Sequence, residues 1–284
     1  WIGSFNPEGK DFELIASGFR NEYDIAMNKQ GEVFTYDADM EWDVGTPWYR
    51  PTRVNHVISG AEFGWRNGTG KWPAYLPDSF GAAVNIGPGS PTGICFGYGT
   101  NFPAPFQDAL FIADWSYGNI HAVHLSVQGS SYGGTYETFT TAAPLPVTDL
   151  AVRPQDGCLY FAIGGRNTQS ALYRIVYKGD AAAKSETQEL DEKTKRLIAI
   201  RKRLESFHVG GPNKKAIGPA IRHLSSDDRG VRFAARIALE HQPPASWKNR
   251  IAKIEDAAAK ALAVIALARV GSAEDQRFAV KQLQ

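Results

Sequence analysis

Thr92-Gly93-Ile94-Cys95-Phe96, Ala109-Leu110-Phe111-Ile112-Ala113-Asp114 and Asn119-Ile120-His121-Ala122-Val123-His124-Leu125 are three apolar stretches set close together. Each has the length and β-branched or aromatic content of a strand, and turn residues separate them. The same order of strand, turn, strand, loop and strand recurs on either side. Downstream it runs through Val147-Thr148-Asp149-Leu150-Ala151-Val152, Asp156-Gly157-Cys158-Leu159-Tyr160-Phe161-Ala162 and Ala171-Leu172-Tyr173-Arg174-Ile175-Val176-Tyr177. Upstream it runs through Phe12-Glu13-Leu14-Ile15, Asp24-Ile25-Ala26-Met27 and Gly31-Glu32-Val33-Phe34-Thr35-Tyr36. Tight turns are expected at Asn28-Lys29-Gln30-Gly31 and Pro154-Gln155-Asp156-Gly157. A repeated sheet of this kind predicts about three blades of a β-propeller, too few to close a ring of four to eight. The stretch from Met40 to Gly89, rich in Trp, Pro and Gly, reads as a long functional insertion between the first two blades.

The period changes after this region. Leu190, Thr194, Leu197, Ile198, Ile200 and Leu204 form a stripe at helical spacing, ending near Phe207-His208 and before Gly210-Gly211-Pro212. Ala235-Arg236-Ile237-Ala238-Leu239 then recurs as Ala263-Val264-Ile265-Ala266-Leu267. Each unit follows an acidic turn suited to capping a helix, Ser226-Asp227-Asp228 and Glu255-Asp256. Composition shifts at the same place, for Trp247 is the only one of the 7 tryptophans after Gly179. The expected architecture is therefore a partial β-propeller over 1–179 followed by an α-helical, HEAT-like solenoid over 180–284. Repeats of that kind dock other proteins, which makes a protein partner an expectation for the second part.

The 31 Lys and Arg residues balance the 30 Asp and Glu residues to a net charge of +1. No broad basic field exists to neutralise a run of phosphates, so nucleic acid is not expected as a partner. Cys95 and Cys158 lie in apolar strand contexts and read as buried thiols. The sequence has no haem-attachment motif, no apolar leader and no run long enough to span a membrane, and it reads as a piece of a longer protein.

Two motifs point to one family. Gly18-Phe19-Arg20-Asn21-Glu22-Tyr23-Asp24-Ile25-Ala26 and Asn55-His56-Val57-Ile58-Ser59-Gly60-Ala61-Glu62-Phe63-Gly64-Trp65 resemble the "G-x-R-N-P-x-G" and "N-L-I-x-x-G-x-N-Y-G-W" segments of soluble quinoprotein glucose/sorbosone dehydrogenases. The separation of Asn55 and Trp65 matches theirs. The chain is similar to a divergent planctomycete and verrucomicrobial branch in which such a propeller precedes HEAT-like helices and often a c-type cytochrome domain. The resemblance covers roughly residues 15–177. It implies an exported oxidoreductase, periplasmic or at the cell surface, that takes a sugar or polyol and uses pyrroloquinoline quinone with Ca²⁺. The alternative is a non-catalytic propeller and solenoid that binds glycan or protein.

Under this resemblance Arg20 and Asn21 line the tunnel, contacting the quinone and the substrate oxygen. A fixed guanidinium there stabilises the charge that hydride delivery builds on a quinone oxygen. The other reading pairs Arg20 with Glu22 or Asp24 at a blade edge. Tyr23 stands where the enzymes carry Gln; it can stack on a planar group but cannot repeat the amide contacts. Thr52-Arg53 replaces an acidic pair, and Ile86 occupies a lysine position. Of the basic pair that clamps the quinone carboxylates, only His121 and His124 remain as candidates. A tricarboxylate needs cations, so these losses count against ordinary quinone binding.

The alternating carboxylates Asp37, Asp39, Glu41 and Asp43 offer oxygen ligands for Ca²⁺, with Asp37, Asp39 and Glu41 as the candidate set. They suit equally a turn whose carboxylates cap loop amides and pair with Arg50 and Arg53. Trp48 and Trp65, beside Arg50 and Arg53, form a candidate sugar-binding group, since rings cover the apolar faces of sugars while charges hold hydroxyls. The same aromatics suit the packing of a long loop. His56, placed in the insertion, is a candidate proton acceptor or a hydrogen-bonded structural residue.

Overall fold

The computed structural model describes residues 1–67, 70–165, 167–179 and 189–283. In chain order the strands are β1 (Ile2–Ser4), β2 (Glu13–Ser17), β3 (Ile25–Met27), β4 (Val33–Asp37), β5 (Thr52–Val57), β6 (Ala61–Glu62), β7 (Trp65–Arg66), β8 (Gly70–Lys71), β9 (Val84–Gly87) and β10 (Pro91–Phe96). They continue with β11 (Leu110–Asp114), β12 (Asn119–Gln128), β13 (Ser131–Thr141), β14 (Val147–Arg153), β15 (Cys158–Gly165) and β16 (Thr168–Ile175). The α-helices are α1 (Ala104–Gln107), α2 (Glu192–Glu205), α3 (Lys214–His223), α4 (Arg229–Glu240), α5 (Ala257–Val270) and α6 (Ala273–Lys281).

Three antiparallel sheets carry the first part: β3-β4-β5-β9, β10-β11-β12-β13 and β14-β15-β16. Their first strands lie side by side, β3 against β10 and β10 against β14. The sheets therefore stack face to face as the blades of a partial β-propeller. Strand β11 shows how the sequence produces this: Leu110 and Ile112 enter the core shared with Phe34, Tyr36 and Val54, while Phe111 and Ala113 enter the core shared with Val147, Leu159 and Phe161. A strand covered on both faces reads as one continuous apolar run. Side chains close the seams between first strands. Asp24 accepts the Ile94 amide at 3.2 Å, and Thr92 donates to the Val147 carbonyl at 2.8 Å. Gly93 has no room for a side chain, because a Cβ there would lie 2.7 Å from Asp149 Cα.

The structure departs from the sequence reading in three places. The segment at 12–15 is not part of the first blade. As β2 it pairs with β1 and runs parallel to β6, because Gly18, at φ +77°, turns the chain away and Gly60 and Phe63 donate to the Ile15 and Ser17 carbonyls. The stretch from Met40 to Gly89 is not one insertion, since it contributes β5 and β9, the third and fourth strands of the blade. The middle blade gains a fourth strand, β13, whose polar Ser, Gly and Thr content hid it.

Helices α2 to α6 follow, with α3 and α5 both packed on α4, and α6 on α5. Asp228 caps α4 by accepting the Val231 amide, and Asp256 caps α5 by accepting that of Ala259. Ala235-Leu239 and Ala263-Leu267 lie in α4 and α5 and feed one core around Trp247. The start of the expected solenoid, residues 180–188, lies outside the described residues; α2 begins after its cap, Asp191. The helices also join the sheets. Phe233 and Ile237 of α4 share a core with Ile2, Phe19, Val57 and Phe63. Arg201 of α2 reaches Glu32 at 2.7 Å. Among the described residues no helix is long and apolar enough to cross a membrane.

Candidate functional site

One end of the blades gathers the loop before β3, the β4–β5 connection and the loops that flank β9 and β11. Here the Asp37 carboxylate organises the backbone. Its Oδ1 accepts the amides of Arg20 at 2.8 Å and Asn21 at 3.0 Å, while Oδ2 takes Arg53 at 3.0 Å and lies 3.5 Å from Lys71 Nζ. Asp37 is fully buried, and Arg53 is 5% exposed. A buried carboxylate with this many donors is satisfied, and it fixes the direction in which Arg20 leaves the backbone. The Arg20 guanidinium pairs with Glu41 at 2.8 Å, not with Glu22 or Asp24. It sits 5.8 Å from the Trp42 ring centroid, and its Nε approaches Met40 Sδ at 3.4 Å. The Trp65 indole N–H approaches the same sulfur, also at 3.4 Å.

The same contacts give each of the expected calcium ligands a partner within the chain. Asp37 faces Arg53 and Lys71, Asp39 accepts the Tyr49 hydroxyl at 2.7 Å, and Glu41 turns out to Arg20. The three carboxylates do not converge, and no group of three or more His, Cys, Asp or Glu that could hold a metal occurs among the described residues. Alternation put these residues on one run, but amide capping and ion pairing turn them in different directions. Burial pushes the Asp39 carboxyl up and, with the Asp39 bond, pushes the Tyr49 phenol up as well.

Trp48 is 58% exposed, with its indole N–H bonded to Asp43 at 2.9 Å; exposed Trp42 stands close by in sequence. Arg50 is exposed and donates to its neighbour's carbonyl, Tyr49 O. Arg50, Arg53 and Lys71 line one cavity of about 270 Å³ with Trp72 and Asn85. Burial drives the Lys71 amine down to about 7 despite the Asp37 charge. Sequence reasoning missed Lys71, which no motif marked. Asn55 is fully buried on β5, and neither atom of its amide has a hydrogen-bond partner.

The remaining candidates are scattered. Tyr23 is 68% exposed. His121 is buried on β12 against Thr138 and Tyr136, and burial lowers its pKa. His124, farther along the same strand, pairs with Glu137 at 2.9 Å. His56 does not lie in a loop. It sits in β5 toward the opposite end of the blade, 1% exposed, between Glu32 and Ser131. A tricarboxylate quinone needs several free cations, yet Arg20 is committed to Glu41, Arg53 and Lys71 share Asp37, and the two histidines do not reach Arg20's neighbourhood. Arg50, which donates to a backbone carbonyl and has no carboxylate partner among the described residues, does not balance three carboxylates by itself, so the described residues do not fit that cofactor.

No family model matches the sequence, and no curated protein matches it. Among solved structures the chain is similar to an oxidoreductase (glucose dehydrogenase) from Thermus thermophilus, with 19% identity, a TM-score of 0.45, and coverage of 57% of this chain and 47% of that one. It is similar to the PQQ-bound form of aldose sugar dehydrogenase from Streptomyces coelicolor at 10% identity and a TM-score of 0.43, covering 57% and 44%. A further glucose dehydrogenase shares 20% identity at a TM-score of 0.47, covering 61% and 48%. The chain spans about half the length of the solved structures it matches.

Proposed function

We propose that this chain is a section of an oxidoreductase propeller that handles a sugar or polyol, and that the blade end at Arg20 and Asn21 meets the substrate. The observation that carries this reading is the Asp37 carboxylate bonding both amides, at 2.8 and 3.0 Å, where the chain enters its first blade strand. That contact holds a guanidinium at a fixed place beside exposed Trp42. Rings of this kind cover the apolar face of a sugar, and the guanidinium favours an oxygen on which negative charge develops. The motif resemblance around Arg20-Asn21 and Asn55–Trp65 supports the same substrate class. Export to the periplasm or cell surface and docking of a protein partner, such as a cytochrome c domain, on helices α2 to α6 belong to this reading.

A second reading, a glycan-binding propeller without redox chemistry, is favoured by one observation: Arg20, Arg53 and Lys71 at this end are already paired with carboxylates of the chain. Calorimetric titration of the chain with aldoses and polyols tests the substrate class. Saturable binding that weakens about tenfold in Arg20→Ala is expected, since a hydrogen bond to a charged group contributes about 1.5 kcal/mol or more. No saturable binding, or binding equal in Arg20→Ala, refutes the proposal. Dye reduction in the presence of added quinone separates the two readings, for the glycan-binding protein binds sugar and reduces nothing.

A further inference from the structure

We propose that Ser131, His56 and Glu32 form a serine-nucleophile site for short-chain carboxylic esters, at the end of the blades opposite Arg20. Nothing in the sequence placed these residues together, since 75 positions separate Ser131 from His56 and 24 separate His56 from Glu32. The fold brings them into line. Ser131, the first residue of β13 after the tight β12–β13 turn, has its hydroxyl 2.9 Å from His56 Nδ1. His56 Nε2 lies 2.8 Å from Glu32 Oε2, whose other oxygen is held by Arg201 at 2.7 Å and Lys202 at 3.0 Å.

Hydroxyl, imidazole and carboxylate in series are the parts of an activated serine: the acid fixes the imidazole tautomer, and the imidazole accepts the hydroxyl proton. Glu32 is a good orienting acid because it stays ionised. Burial works to raise its pKa, but the His56 hydrogen bond and the Arg201 charge outweigh that and hold it near 2. The imidazole is 1% exposed and stacks on Phe34 with Tyr132 at its edge, so it has little freedom to turn.

The arrangement opens on a cavity of about 270 Å³ that His56 and Ser131 help to line. Small and apolar groups complete one wall: Ala74, Phe80, Ala82 and Ala83. The first turn of α4 also lines the cavity, at Asp228, Arg229 and Gly230. The Val231 amide of this turn is taken by the Asp228 carboxylate, which leaves the amides of Arg229 and Gly230 without a carbonyl partner within the helix, as donors for a carbonyl oxygen becoming an oxyanion. Arg229 Nε is buried without a partner beside them. A cavity of this volume holds a short acyl chain, such as acetyl.

The step balances without any other reagent. Ser131 Oγ attacks the ester carbonyl and gives its proton to His56 Nδ1; the C–O bond to the alcohol breaks, and His56 returns the proton to the departing oxygen. Water then attacks the acyl-serine with His56 again accepting the proton, releasing a carboxylic acid and restoring the hydroxyl.

Treatment of the chain with a fluorophosphonate, read by intact mass and peptide mapping, tests the site. A single adduct on Ser131 is expected, absent from Ser131→Ala, together with an about 100-fold fall in 4-nitrophenyl acetate hydrolysis in that variant. Labelling elsewhere or not at all, or unchanged hydrolysis in a folded Ser131→Ala, overturns the proposal. Should Ser131→Ala fail to fold, Ser131→Cys decides: iodoacetamide alkylation at pH 7 faster than that of a free thiol supports an activated position, and a rate no faster refutes it. Neither readout involves sugar, quinone or metal, so failure here leaves the sugar reading untouched.

Discussion

Replacing Arg201 with Met removes a buried charge while keeping most of the side-chain volume. Arg201 is 1% exposed and joins three groups: Glu32 at 2.7 Å, Glu205 at 2.8 and 3.0 Å, and the Ser130 carbonyl at 2.8 Å. Breaking a buried pair from one side costs about 3–5 kcal/mol because the remaining charge is left without its partner. Glu32 keeps His56 and Lys202, and Glu205 retains some access to water, which places Arg201→Met at the low end, about 3 kcal/mol. For a domain of this size that corresponds to a fall of roughly 6–12 °C in melting temperature. Urea denaturation at pH 7, followed by circular dichroism and tryptophan fluorescence, measures the loss. A loss below about 1 kcal/mol would refute the reasoning, since it would mean that the guanidinium is screened like a surface pair. The double variant Arg201→Met with Glu32→Gln should cost less than the sum of the two single changes, because the second removes the charge that the first strands.

Further expectations concern other parts of the chain. Burial holds the His208 imidazole, between Ser59 and the Ala234 carbonyl, down to about 4. The unfolded chain takes up that proton near 6.5, so stability falls as pH drops from about 6.5 to 4, by about 3 kcal/mol from this group, and His208→Gln should flatten that part of the profile. Lys71 behaves likewise at higher pH: with its amine near 7 in the fold and about 10.5 unfolded, stability rises with pH across that window, and Lys71→Met abolishes the rise. Gly93→Ala forces a methyl to within 2.7 Å of the Asp149 backbone and should destabilise the propeller by about 1–3 kcal/mol, read in the same urea assay. Asp256→Ala removes the cap that accepts the Ala259 amide and should cost about 1 kcal/mol, seen as a lower urea midpoint.

How much of this was legible in the sequence follows from where each partner lies. The middle blade was readable because β11 and the first half of β12 are covered on both faces, leaving unbroken apolar runs. Strand β5 was not, because Thr52-Arg53-Val54-Asn55-His56-Val57 looks polar, and only the fold shows that Arg53 is buried on Asp37 and His56 on Glu32. Strand β13 carries Gly133-Gly134 followed by an unbroken exposed run from Thr135 to Thr138, so it reads as loop. The acidic run was correctly noticed as unusual, but its chemistry depends on which amides and cations arrive from elsewhere, and periodicity carries no such information. Arg201 shows the same limit within a helix. It sits on the buried side of α2 between Ile200 and Leu204, yet a charged residue does not register as part of an apolar stripe. Arg20 and Asn21 are proposed on motif likeness, while Lys71, Ser131 and Glu32 became visible only through distances.

The Glu32–Arg201 contact also sets a timetable. The two residues are 169 positions apart, so at a synthesis rate of about 5–20 residues per second the carboxylate emerges roughly 8–34 s before its guanidinium. The first two blades have their strands complete well within that interval, and Glu32 can engage only His56, 24 positions away, until α2 arrives. Docking of α2 thus follows the emergence of every blade strand among the described residues. A ribosome stalled short of Arg201 should present blades whose floor is still open, with the Ser131 and His56 side chains reachable from water.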